Sequence, residues 1–280
     1  MINYVVLIIT GLTFIFQSEC VSVAVDEKAT DFEAIYTSKK IVIKVYEKKD
    51  TGFVDMTNKL TMDYPNHSIM PTVTNRDTAI TRNMKIKARA FFFFPYPAKT
   101  VTSIFTYFDD QSEYMPGLTY SKEVACKDYE DSEKKECTAI PKTNDVTFAT
   151  YVLDLPMAPD EKYTMKEVFS KEKHDNEDVY RLSWTSQWVT DGPSHSRYAK
   201  TIEGFFLATP YKTGTIVEYT NFVVSRPLTS WFQGMVNRDG VDTLPKVLSA
   251  LNDRIQKTSK DTKKLKTFTD RLDNRFNEKK

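Results

Sequence analysis

Few side chains in this sequence have the chemistry to act on a substrate. Three histidines occur, His67, His174 and His195. They lie in "MDYPNHSIMP", "HDNED" and "DGPSHS", and each reads as an exposed turn residue. "HDNED" lacks the glycine and the spacing of a calcium loop. Asp109-Asp110 is a helix end, because adjacent carboxylates cannot face one substrate as an acid and base pair. Glu203, beside Gly204 in mid-strand, is the carboxylate most suited to half burial; pointing inward, it would orient a ligand or accept a proton. No serine elbow, phosphate loop or dinucleotide fingerprint is present. The cysteines form no CxxC or Cys/His cluster, so zinc has no ligand set. The reading is therefore no catalytic residue, no metal and no cofactor.

Binding chemistry is better supplied. In "YRLSWTSQW", Tyr180, Leu182, Trp184, Ser186 and Trp188 fall on one face of a strand, with Arg181, Ser183, Thr185 and Gln187 on the other. Aromatic faces with polar tips suit an apolar pocket that holds a few hydrogen-bonding groups. The candidate lining is Tyr180, Trp184 and Trp188, joined by Tyr151, Glu203, Phe206, Val217 and Tyr219 from neighbouring strands and by Leu248 and Leu251 from a helix.

These residues need a scaffold. "MKIKARAFFFF" (84–94) alternates apolar and basic residues, then turns wholly apolar, as a strand does when its end lies under other elements. Pro95 stops its ladder. Pro97 suits a first helical turn, and Ala98, Val101, Ile104, Phe105 and Phe108 mark a helical face. "QSEYMPGL" (111–118) fits a second short helix. Six strand-like segments follow, near 118–126, 145–155, 162–170, 179–190, 198–208 and 215–225, joined by turns short enough for antiparallel pairing. "PLTSWFQGMV" (227–236) fits a turn or two of helix. The spacing then predicts a helix over 242–257, capped at Asp242 or Thr243, with Pro245 in its first turn and a stripe of Leu244, Val247, Leu248, Leu251 and Ile255. From 257 to 280 nine basic and four acidic side chains give a net +5, read as a solvated helical tail or a membrane or partner contact. Residues 25–83 read as an extension with one added strand at "KKIVIKVYEKK" (39–49), and carry the sequon Asn66-His67-Ser68.

The totals bound the function. The 280 residues are 40% hydrophobic and 28% charged, an ordinary globular balance. A net charge of +1 gives no field that would draw nucleic acid. The uncharged "MINYVVLIITGLTFIF" with "SECVSVA" after it reads as a secretory signal ending at Ala24, with Cys20 as a second cleavage point and a short membrane anchor as the alternative. An exported chain, periplasmic or secreted, would leave Cys126 and Cys137 in an oxidising compartment, where a disulfide would close the charged "KDYEDSEKKE".

The order is one strand, two short helices, six strands and a long helix. With "FFFPYPAKTVTSIFTYFDDQSEYMPGL", "YVLDLPMAPDEKY", "YRLSWTSQW", "GTIVEYTNFVVSRP" and "LPKVLSALNDRI", it resembles the helix-grip superfamily of START lipid-transfer domains and polyketide cyclase/dehydrase-like proteins over residues 84 to 257. Many START-like sequences carry an Arg-Asp pair after the proline kink, where this chain has Lys162-Tyr163. The resemblance implies an α+β fold, a seven-stranded curved antiparallel sheet around a long C-terminal helix, with a cavity between them. It implies a monomeric, non-enzymatic binder or carrier of a lipid or other apolar small molecule, in transient contact with a membrane. Two alternatives stay open: a cyclase-like enzyme using Glu203 or a pocket tyrosine, and a structural protein whose cavity is filled by side chains.

Overall fold

The computed structural model describes residues 31–50, 52–55, 62–63, 72–73, 85–125, 145–154, 160–186, 199–225 and 230–277. The leader segment 1–24, the sequon at Asn66, Cys126, Cys137, Trp188 and His195 lie outside the described residues.

The chain begins with α1 (Phe32–Ser38), whose first turn is capped by the Asp31 carboxylate accepting from Ala34 N at 3.0 Å. The hairpin β1 (Val42–Lys49) and β2 (Gly52–Asp55) follows, then two-residue strands β3 (Met62–Asp63) and β4 (Thr72–Val73) that pair with each other. Next come β5 (Ile86–Phe94), α2 (Ala98–Phe105), a 3-10 turn (Phe108–Glu113) and β6 (Leu118–Glu123). A meander follows, β7 (Val146–Leu153), β8 (Glu161–His174), β9 (Glu177–Thr185), β10 (Ala199–Tyr211) and β11 (Gly214–Ser225), before α3 (Ser230–Thr258) and α4 (Thr262–Phe276).

All strands but β3 and β4 form one antiparallel sheet of nine, in the order β2-β1-β5-β11-β10-β9-β8-β7-β6. The seven strands from β5 to β6, with α3 across them, are the helix-grip arrangement; β1 and β2 extend it at one edge. The extension thus adds two strands to the sheet where one was expected. The order explains the "FFFFPYP" run. β5 sits inside the sheet while β6 is its far edge, so the chain must leave the ladder abruptly and cross the sheet's width. Pro95 ends the strand and α2 with the 3-10 turn makes the crossing. The four rings divide by the two-residue period of a strand. Phe92 and Phe94 enter the inner core, edge to face with centroids 4.9 Å apart. Phe91 and Phe93 enter a second cluster on the outer face with Ile35 and Ile216, where Tyr36 of α1 meets Phe93 edge-on. Both faces are covered, so no phenylalanine of the run is exposed.

Three helical expectations are corrected. The second short helix is a 3-10 turn that starts earlier, at Phe108, and ends before Met115. The long helix begins at Ser230, not 242, and Pro245 lies inside it. A proline fits helical φ and forfeits one backbone hydrogen bond, and here it is buried beside Leu244, so packing carries the helix through. Leu244, Leu248, Leu251 and Ile255 lie in the inner core as the stripe predicted.

One face of the basic tail is packed and paired, while Lys257, Lys260, Lys263 and Lys266 stay exposed. α4 folds back onto α2, buries Phe268 and Leu272, and stacks Phe268 on Tyr107 with centroids 4.2 Å apart. Its cations meet acids of the 3-10 turn and β6. Arg271 and Arg275 both reach Glu123, Arg271 also reaches Asp109, and Lys264 reaches Asp110 at 2.9 Å. Lys99 of α2 reaches Asp273 at 2.7 Å, and Arg254 of α3 bonds Asp110. Burial alone would raise the Glu123 carboxyl; hydrogen bonds and charge from Arg275, Thr147 and Arg271 outweigh it and hold the group below the usual range.

Candidate ligand-binding cavity

A cavity of about 500 Å³ lies between the inner face of the sheet and α3, next to α2 and the 3-10 turn. Strand period decides what lines it. On β7 and β8 the odd positions face in, giving Tyr151 and Leu153 opposite Tyr163 and Glu161, and Glu167 further along. On β9 and β10 the even positions do, giving Leu182, Trp184 and Ile202. On β11 the inward set is Tyr219, Asn221 and Val223. Phe105, Phe108 and Met115 close one side, and Leu244 and Val247 of α3 another. Asp154 and Lys246 also border the cavity and are exposed, which marks where it meets solvent.

Most of this lining is apolar, but its deep part is not. The Tyr151 hydroxyl donates to Glu167 Oε1 at 2.8 Å. Glu167 Oε2 and Asn221 Oδ1 are buried with no hydrogen-bond partner among the described residues. Burial drives the Glu167 carboxyl up; the Tyr151 hydrogen bond works against this, the Glu123 charge adds to it, and the result is a pKa of about 8. Burial, with the charge of Glu167, also holds the hydroxyls of Tyr151, Tyr163 and Tyr219 well above the ordinary tyrosine value. The rings stand in pairs: Tyr151 on Tyr163 with centroids 5.5 Å apart, Trp184 against Tyr219 at 5.3 Å.

Of the residues expected to line a pocket, Tyr151, Trp184 and Tyr219 do. Tyr180 faces inward but is buried beneath α4, its ring near Phe276 and its hydroxyl donating to Asp178 at 3.3 Å. Phe206 lies flat on Phe105, centroids 4.1 Å apart, and with Val217, Leu248 and Leu251 is solid core. Glu203 is a correction. Ile202, Phe206 and Ala208 hold the inner face of β10, so Glu203 projects outward, on the side where Arg181 covers the Phe205 ring at 4.3 Å. Glu167, Tyr163 and Asn221 were missed. The available signal was a carboxylate interrupting the apolar face Tyr163, Met165, Phe169 of an alternating strand. His174 ends β8, opposite Glu177, with its ring exposed and 3.6 Å from Asp175.

Gly204 keeps the Trp184 ring in place. A Cβ at 204 would stand 2.2 Å from Thr220 O and 2.6 Å from the Trp184 ring. Gly204→Ala is therefore expected to cost about 1–3 kcal/mol through overpacking and to shift Trp184. Chemical denaturation and the tryptophan emission maximum check this; unchanged stability and emission would show that the strands yield without strain.

No protein-family model matches the chain, and no curated protein matches it in sequence. Similarity appears only among solved structures. A STAR-related lipid transfer protein from Xanthomonas axonopodis aligns at 12% identity and a TM-score of 0.48, over 70% of this chain and 98% of that one. Human STARD10 aligns at 10% and 0.48, over 73% and 76%. An aromatase/cyclase from Streptomyces aligns at 11% and 0.36, over 66% and 93%. None reaches a TM-score of 0.5, so the nature of any ligand rests on the cavity's own residues.

Proposed function

We propose that this protein is an exported, non-enzymatic binder or carrier of a lipid or other hydrophobic small molecule, held as a monomer in the cavity between sheet and α3. The single observation that carries the reading is that cavity: about 500 Å³, lined mostly by apolar and aromatic side chains. Small-molecule pockets span roughly 300–1,000 Å³ with such linings and a few placed polar groups. Burying eight methylenes is worth about 6 kcal/mol before the cost of immobilising the ligand, enough for a carrier without catalytic machinery. Export is part of the same reading and draws its support from the uncharged apolar segment Met1–Phe16. The filled-cavity alternative loses ground to the open volume, and the cyclase-like alternative loses Glu203, which faces away.

The test is native mass spectrometry of the purified full chain with organic extraction, followed by titration with a neutral fluorescent fatty alcohol. One apolar molecule per chain, exchangeable for the probe and sensed by Trp184 emission, is the expected result. A chain that is empty as purified and takes up no probe overturns the reading.

A further inference from the structure

We infer that the molecule taken by this cavity presents its polar end as a protonated amine, seated against the Glu167 carboxyl among Tyr151, Tyr163, Trp184 and Tyr219. The inference rests on reading the cavity as a ligand site, and it adds the chemistry of the ligand's polar end.

Three observations converge on it. The first is an unused acceptor. Glu167 is only 2% exposed, and its Oε1 is taken by the Tyr151 hydroxyl, while Oε2 is buried, unpartnered and on the cavity wall. Asn221 Oδ1 is a second buried acceptor without a partner on the same wall. The Asn221 oxygen, and Glu167 Oε2 once the carboxyl is ionised, are buried acceptors that an occupant bearing N–H donors would satisfy. The second is charge. Among the described residues, the lining carries the carboxyls of Asp154, Glu161 and Glu167 and one ammonium, that of Lys246. A carboxylate or phosphate head would meet like charge in a low-dielectric wall. The third is the rings. Tyrosine and tryptophan faces attract cations, and two aromatic pairs flank the carboxyl.

The proton balance is explicit. Below a pH of about 8 the empty site holds a proton on Glu167. Docking R–NH₃⁺ leaves the carboxylate paired with the ammonium and releases that proton to solvent. Affinity then rises about tenfold per pH unit up to about 8 and levels off above it. The titratable and charged groups that share the cavity wall with Glu167 are Tyr151 of β7, Tyr163 and Glu161 of β8 and Tyr219 of β11, with Asp154 and Lys246 at the mouth, and the Glu123 charge also acts on it. The three tyrosines stay neutral through this range, because burial raises them.

Dodecylamine, dodecanol and dodecanoate, each kept below its aggregation concentration, are titrated into the full chain and into Glu167→Gln between pH 6 and pH 9. The expected result is that the amine binds at least tenfold tighter than the alcohol at pH 8 and the carboxylate binds weakest. The amine's affinity should climb about tenfold per unit from pH 6 to pH 8 while the alcohol's stays level. Glu167→Gln should abolish the amine preference, and a urea midpoint at least as high as that of the wild type reports that the variant is folded. Dodecanoate binding as tightly as the amine, or an amine preference that survives Glu167→Gln, overturns the inference and leaves the carrier reading standing. Uptake of none of the three by the wild-type chain overturns both.

Discussion

Glu167→Gln is expected to make this protein more stable, and increasingly so as pH rises. The folded carboxyl titrates at about 8 against an ordinary 4.5, so the folded state holds this proton more tightly than the unfolded chain does. Its contribution is fully present below the unfolded value and is lost as pH climbs through the folded one. Roughly three to four pH units at about 1.4 kcal/mol each give a penalty on the order of 4 kcal/mol by pH 8.5. Glutamine keeps an oxygen for the Tyr151 hydroxyl and cannot ionise. The stability difference between variant and wild type should therefore be small at pH 5 and several kcal/mol in the variant's favour at pH 8.5. Taking the difference cancels titrations the two proteins share. Urea midpoints measured across that range decide it, and parallel curves would show that the carboxyl is solvated. A buried acid that weakens the fold at neutral pH and lines a cavity is a mark of a functional group.

Glu218→Ala should do the opposite. Arg89 Nε donates to Glu218 Oε1 at 2.6 Å between β5 and β11, with the two side chains 8% and 11% exposed. Thr220 Oγ1 donates to the same oxygen at 3.0 Å. Removing the carboxylate takes from Arg89 its 2.6 Å partner and from Thr220 its acceptor, beside the rings of Tyr46 and Phe91 at 6.0 and 5.1 Å. A loss of about 1–3 kcal/mol is expected. The paired replacement Arg89→Met with Glu218→Leu should recover most of that loss, because two apolar chains need no compensation. Guanidinium denaturation of the three proteins separates the cases. A single variant within about 1 kcal/mol of wild type would mean that water reaches the pair.

Much of the sheet was legible because its strands alternate and its turns are chemically marked. "YRLSWTSQW" placed Trp184 on the inner face by period alone, and "HDNED" and "YKTG" placed two hairpins, with Asp175, Asn176 and Lys212 in left-handed conformations. What stayed hidden depends on partners distant in sequence. Pro245 read as a helix start since nothing local shows that packing carries a helix past it. The net charge of the tail read as solvated because its acids, Asp109, Asp110 and Glu123, lie far upstream. Along the chain Glu203, beside Gly204, stands out and Glu167 does not. Only the register of β10 and β8 turns one out to solvent and the other toward the cavity.

The adjacency of β5 and β11 has a kinetic consequence. Arg89 and Glu218 touch although 129 residues separate them, so the middle of the sheet joins the start of the domain to its end. Loop closure over that span must precede the reward of pairing, which places this chain among slow folders. During synthesis the strand bearing four phenylalanines has β1 on one side and waits for β11 on the other until Ser225 has emerged. A chaperone that shields that strand would govern the yield of native protein more than any late packing step.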